Sequence, residues 1–256
     1  MRRAQTRARP AINRNPRMTY SAAARAAVLA SAFALSACAW SPGMQAPAPS
    51  SGMLSDAERA DGWQSLQSLS AWRGYKTQII PTGWSDANGT ITKTGDAEDL
   101  VSRAQYGNFE LVLDWKLASG GNSGLFYRAT EEYEHIYWSG PEYQLLDDAG
   151  HPDGRNRLTS AASAYGLYAP PAGVVHAAGE WNSTRIVVNG RHVEHWLNGQ
   201  KVVDYTLMSS DWEAKVKASK FGAWPNYGRA SRGYIGIQGD HTGLLSLRGI
   251  KIRELP

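Results

Sequence analysis

Glu142 and Gln144 stand two residues apart in the run PEYQLLDD (141–148). In a β-strand that spacing puts a carboxylate beside an amide on one face, while Tyr143 and Leu145 take the other. The carboxylate suits proton transfer and the amide suits holding an oxygen atom; the same row also fits a plain solvated sheet face. The run GGNSGLFYR (120–128) supplies Asn122 and Arg128. The planar Arg128 guanidinium could meet an oxygen-rich ligand, or pair with Glu142 as a structural ion pair. In QGDH (238–241), Gln238 alternates with Ile235 and Ile237, and His241 sits where a loop can aim it. An imidazole beside a carboxylate suits proton transfer near neutral pH. His195, between Glu194 and Trp196, and Lys220 in SKF (219–221) are further candidates.

The elements that must position these groups are short strands. Runs with strand character cover 108–117, 124–128, 142–146, 184–188, 192–197, 201–205, 234–238 and 244–252, separated by Gly, Asn, Asp and Pro. Leu111, Leu113 and Trp115 alternate with Val112 and Asp114, the period of a sheet with one buried face. Asn189-Gly190 and Asn198-Gly199 predict two tight hairpins, hence three consecutive antiparallel strands. A turn or two of helix over 211–220 is all that competes. Many short strands and ten tryptophans predict an all-β jelly-roll sandwich of two antiparallel sheets. The segment 147–176, rich in Gly and Pro, directly follows the Glu142 strand and reads as a binding loop or a surface excursion.

The N-terminus carries a different message. Seven arginines precede an apolar run over 26–37 that is too short to span a bilayer, and Leu35-Ser36-Ala37-Cys38 ends it with the chain's single cysteine. This predicts a lipoprotein signal over 1–37, a lipidated Cys38, and a Pro/Ala/Gly/Ser-rich tether over 38–57 ahead of a domain over 58–256. Ala39, where an aspartate would signal retention, resembles the outer-membrane sorting signal of bacterial lipoproteins, so a cell-envelope location on a membrane surface is expected. Seven of the 27 basic residues precede Cys38 and none of the 23 acidic ones does. The basic pI thus belongs to the leader, and nucleic-acid binding loses its support. With one cysteine, an intramolecular disulfide or a Cys-based zinc site is excluded.

The blocks GNSGLFYR, GPEYQLLDD, GEWNSTRIVV, VEHWLNGQKVV, SKF, GYIGIQGDH and LRGIKIREL occur in the order that resembles the 3-keto-disaccharide hydrolase family, over about 63–255. One departure is IQGDHTG, where the family reads closer to LQDHG. The resemblance implies a concanavalin A-like sandwich acting on glycosides already oxidised to a ketone at sugar C3. Such a ketone acidifies the C2 hydrogen, so a base can take it, the C1 substituent can leave, and water can add to the product. On this reading Glu142 or His241 is base or metal ligand, and Lys220 assists. Arg128, Gln144, Asn122, Gln238 and His195 bind the sugar, with Tyr168 and the tryptophans as stacking platforms. A divalent cation held by Glu142 and His241 is a candidate electrophile. A separate sugar 3-dehydrogenase is expected to supply the ketone, since the chain has no Gly-rich dinucleotide motif after a strand. Two alternatives stay open: a lectin-like carbohydrate-binding lipoprotein, and a conventional glucanase. Against the second, the row Glu142, Gln144, Leu146 lacks the second acid of a Glu-x-Asp-x-Glu strand.

Overall fold

The computed structural model describes residues 53–256, so the expected signal over 1–37, Cys38 and most of the expected tether lie outside the described residues. The strands are β1 Gln64–Ser65, β2 Trp72–Gly74, β3 Trp84–Ala87, β4 Thr90–Lys93, β5 Leu100–Tyr106, β6 Phe109–Leu117, β7 Asn122–Ala129, β8 Glu142–Leu146, β9 Asn182–Asn189, β10 His192–Leu197, β11 Gln200–Thr206, β12 Gly233–Ile237 and β13 Leu245–Glu254. Two α-helices join them, α1 Asp56–Ala60 and α2 Ser210–Ala218. One sheet runs β11-β10-β9-β6-β13-β4-β3, with β1 also paired to β13; the other runs β2-β5-β12-β7-β8. Neighbouring strands are antiparallel throughout, and the two sheets pack as the expected all-β sandwich.

Alternation is the cause of this packing. Along β6, Leu111, Leu113, Trp115 and Leu117 are buried between half-buried Val112, Asp114 and Lys116. Leu125 and Tyr127 of β7, Tyr143 and Leu145 of β8, and Ile235 and Ile237 of β12 answer from the smaller sheet. Each large apolar side chain so buried stabilises the fold by roughly 1.5–3 kcal/mol. A polar chain crosses the interior: Trp115 Nε1 donates to Thr184 Oγ1 (2.9 Å), which donates to Tyr143 OH (2.8 Å), which donates to the Trp196 carbonyl (3.1 Å). It ties the two sheets in one register.

Both hairpins form, with one displaced. Asn198 and Gly199 occupy the turn between paired Leu197 and Gln200, both at positive φ. In the other, Asn189 pairs with His192, so Gly190 and Arg191 make the turn and only Gly190 has positive φ. The strand set expected from sequence omits β1 to β5, whose short segments carry little alternation. Helix α2 is nine residues long; Ser209 caps it, and its buried residues Trp212 and Val216 lie one turn apart.

The segment 147–176 is neither a free loop nor a strand. After two 3-10 turns, Pro152–Arg155 and Arg157–Thr159, it returns alongside β8. There Ala162 N donates to the Gln144 carbonyl (2.8 Å), Gln144 N to Ser163 O (3.2 Å) and Tyr165 N to Glu142 O (3.1 Å). Ala161, Ala162, Ala164 and Leu167 enter the core, which fixes the segment beside Glu142.

Candidate active site

Because Tyr143 and Leu145 turn inward, Glu142 and Gln144 project from the outer face of the smaller sheet. Phe126 pairs with Glu142 and Gly124 with Gln144, while Gly236 and Gln238 continue the face on β12 and just beyond it. The two glycines leave the room that this face needs. Glu142 lies against Gly124, and the Ile136 side chain drops onto Gly236, where a Cβ would meet its Cδ1 at 2.3 Å. The result is a cavity of about 220 Å³ lined by Asn122, Glu142, Gln144, Gln238 and His241 from the sheet side. Tyr137, Asp153, Tyr165, Lys220 and Asp240 complete its walls.

Glu142 is buried, and burial first, then the negative charges of Asp99, Asp240 and Asp153, push its carboxyl up to about 8 against the pull of Lys220. The Gln144 amide, oriented to satisfy both groups, donates to Glu142 Oε1 and to the Ser123 carbonyl, each at 3.0 Å. Its other end faces Asn122 at 3.3 Å. Gln238 is buried, and its side-chain oxygen has no partner among the described residues, which leaves an acceptor for a ligand hydroxyl.

Around the mouth, Lys220 Nζ stands 4.5 Å from the Tyr165 ring centre and 5.6 Å from that of Tyr137. Tyr165 OH donates to Asp153 Oδ2 (3.2 Å). His241 is half-buried, with Nε2 3.8 Å from Asp240 Oδ1. Burial lowers its pKa, the Asp240 charge opposes that, and His151 and Lys93 add to the lowering. One carboxyl is thus held protonated and one imidazole neutral in the same cavity, a combination suited to acid and base work at neutral pH.

Six of the nine residues expected at the site line this cavity: Glu142, His241, Lys220, Asn122, Gln144 and Gln238. Arg128, His195 and Tyr168 do not. Arg128 sits at a bulge where β7 holds one residue more than β12 between Phe126 and Ala129, and its φ of 50° breaks the alternation that would place it with Gly124 and Phe126. Its guanidinium instead donates to the Gly107 (3.0 Å) and Gly190 (2.8 Å) carbonyls, so it is committed to backbone away from the cavity and forms no ion pair with Glu142. His195 is wholly buried between the sheets: Nδ1 donates to Ala162 O (3.0 Å) and Nε2 accepts from Tyr127 OH (2.9 Å). Burial drives its pKa down to about 4, and no substrate reaches it. Tyr168 stacks on Tyr205 at 4.6 Å and donates to Asp211 Oδ2 (2.8 Å), away from the cavity.

Asp147, just past the end of β8, accepts from Gly120 N (2.8 Å) and Ala149 N (3.3 Å), and so holds a turn instead of facing Glu142 across a sugar; Asp148 accepts from Ala161 N (2.7 Å). Nor does a cation centre assemble in the cavity. Among the described residues, the one group of three His, Asp or Glu ligand atoms within 4.8 Å of one another is His192, Glu194 and Asp204 on the β10–β11 hairpin. There Lys201 Nζ already lies 2.6 Å from Asp204 and 3.2 Å from Glu194. Among the described residues, Glu142 and His241 therefore belong to no ready-made cluster of three imidazole or carboxylate ligands. Tyr137, Tyr165 and Asp153 are not among the residues expected from sequence, and Asp240 enters there only as the carboxylate beside His241. The aromatic run 135–138 was the available signal for Tyr137.

Comparison with known proteins bears on what this cavity does. A family model described as the 3-keto-alpha-glucoside-1,2-lyase-like domain matches residues 62–253. A 3-keto-disaccharide hydrolase of Bacteroides thetaiotaomicron is 33% identical over 231 residues, covering 77% of this chain and 79% of that protein. A crystal structure of a candidate glycosyl hydrolase from Parabacteroides distasonis is 31% identical with a TM-score of 0.75, over 80% of this chain and 99% of the other. A second candidate glycosyl hydrolase from that organism is 28% identical with a TM-score of 0.61, over 75% and 99%.

Proposed function

This chain belongs to the 3-keto-alpha-glucoside-1,2-lyase-like family, and from that premise we propose that it hydrolyses 3-keto-disaccharides and related 3-keto-glycosides by elimination followed by hydration. The observation that carries the mechanism is that Glu142 and His241 face one cavity with pKa values moved in opposite directions. Neutral His241 takes the C2 proton, and the electron pair passes to the C3 oxygen as an enolate. Collapse of the enolate restores the ketone, forms the C1–C2 double bond and breaks the C1–O bond, while protonated Glu142 donates to the departing oxygen. The Lys220 ammonium and the Asn122 amide stabilise the enolate oxygen, Gln144 holds the Glu142 carboxyl in place through Oε1, and Gln238 Oε1 accepts from a sugar hydroxyl. In the second half the roles reverse. Glu142, now a carboxylate, takes a proton from water as it adds to C1, and protonated His241 returns a proton to C2. Both groups end as they began, and the sum is hydrolysis.

The test is to offer the purified domain a 3-keto-glucoside and its unoxidised parent. Release of the leaving alcohol from the ketone alone supports the mechanism; equal cleavage of both would overturn it. Because the substrate must already be a ketone, a separate dehydrogenase acts before this protein. The Arg-rich leader and Cys38 support a lipid-anchored protein of the cell envelope, facing a membrane surface, with the outer membrane as its place. Radiolabelled fatty acid incorporated by the full chain and absent from Cys38→Ala tests that placement.

A further inference from the structure

The stretch 239–241 joins the end of β12 in the smaller sheet to the approach of β13 in the larger one, and it carries Asp240 and His241. Its backbone is held with few groups left over. Gln238 N donates to Gly124 O (2.9 Å) and Ser123 Oγ donates to Gln238 O (2.9 Å). Gly239 N donates to Asp99 Oδ1 (2.8 Å), and Ala97 N donates to Gly239 O (3.1 Å). The Lys93 ammonium donates to the His241 carbonyl and to Gly95 O (2.8 Å). Lys93 is fully buried at the end of β4, and both of these bonds go to backbone carbonyls. Burying an ammonium is costly, and an apolar residue would fill the same interior more cheaply. What the lysine supplies instead is direction: three donors on a compact head that fix the carbonyls around it.

We propose that Lys93 and Asp99 are positioning residues, an ammonium at the end of β4 and a carboxyl just before β5 that clasp the two ends of 239–241 and set where His241 stands. The clasp also accounts for the glycine at position 239. A Cβ at Gly239 would stand 2.4 Å from the Glu98 carbonyl and 2.7 Å from that of Ala97, so only glycine lets the backbone come close enough for Asp99 to take its N–H. The proposal rests on the reading of His241 as the base.

The test measures kcat and KM on a 3-keto-glucoside, together with hydrogen exchange over 238–244, for Lys93→Met, Asp99→Ala and Asp99→Asn in the whole domain. Lys93→Met and Asp99→Ala are expected to lower kcat by about 10²-fold with KM little changed, the scale of a misplacement of about 1 Å. Exchange over 238–244 rises in both. Asp99→Asn keeps an acceptor for Gly239 N–H and recovers most of the loss. If Lys93→Met does not fold, Asp99→Ala against Asp99→Asn decides the matter. Wild-type kcat and exchange in a folded Lys93→Met or Asp99→Ala overturn the clasp, and leave the base assignment standing if His241→Ala is inactive. Full activity in His241→Ala removes the base assignment instead, and hydrogen exchange then judges the clasp alone.

Discussion

Gly124 lies directly beneath Glu142: a Cβ on Gly124 would stand 2.2 Å from Glu142 Oε1 and 2.8 Å from its carboxyl carbon. The carboxyl therefore rests on bare backbone, and the missing side chain sets its height above the sheet. Gly124→Ala is expected to fold, since its neighbour can swing away, but to lower kcat by about 10²-fold as the carboxyl moves. Steady-state kinetics with circular dichroism check this; a folded variant with wild-type kcat would detach Glu142's position from its function.

Under the proposed mechanism, the pH profile of kcat/KM should be a bell. His241 acts when neutral, so activity falls on the acid side below the ordinary imidazole value of 6.5, in the direction of its lowered pKa. Glu142 acts when protonated, so activity falls as pH rises through about 8. Lys220, Asp99, Asp240 and Asp153 all act on Glu142, and Asp99→Asn, by removing a negative charge, moves the alkaline limb to lower pH. An alkaline limb that stays in place in that variant counts against Glu142 as the acid.

The same carboxyl has a stability consequence. Its folded pKa of about 8 lies above the ordinary 4.5, so its contribution is fully present below 4.5 and is lost as pH rises through about 8. Glu142→Gln should abolish turnover, and its Tm relative to wild type should climb across that window. A Tm difference independent of pH contradicts the burial assigned to Glu142.

Lys220 bears no ion-paired partner in the salt bridges among the described residues, and its ammonium is boxed by aromatic rings at the cavity mouth. Lys220→Met should lower kcat by about 10²–10³-fold, the loss expected of one donor to a developing oxyanion, with Lys220→Arg recovering part of it. Unchanged kcat with raised KM would make Lys220 a binding group only.

His195 and Arg128 should matter to stability and not to chemistry. His195→Ala is expected to cost about 2–4 kcal/mol through the lost contacts of a buried ring and an orphaned Tyr127 hydroxyl. Because its folded pKa of about 4 lies below 6.5, the native His195 contributes stability above 6.5 that is lost as pH falls through about 4. Arg128→Met frees the Gly107 and Gly190 carbonyls and lowers Tm. A selective rise in KM in either variant, with Tm unchanged, reverses this assignment.

The alternation in β6, β8, β9 and β12 was open to reading because one face of each strand is apolar, and it carried Glu142, Gln144 and Gln238 to the right side of the right sheet. Arg128 departs from its expected face for a local reason: a bulge with positive φ at Arg128 inverts the count, and nothing in GLFYR announces it. His195 was misjudged because a polar letter in a strand reads as exposed, whereas Tyr127 and the Ala162 carbonyl satisfy it inside. Lys93 and Asp99 were invisible for a deeper reason. Their partners in 239–241 are backbone atoms more than a hundred positions away, and such bonds leave no pattern of residue types.

β8, which bears Glu142, is the outermost strand of its sheet, and the returning chain at 162–165 occupies its free hydrogen-bonding side. The polar groups of the cavity thus sit on a border that would otherwise invite strand addition by another molecule, and the protein blocks that invitation with its own backbone. Proteolytic nicking within 150–160 should therefore show itself first as self-association, with fibrils or oligomers forming before the sandwich melts.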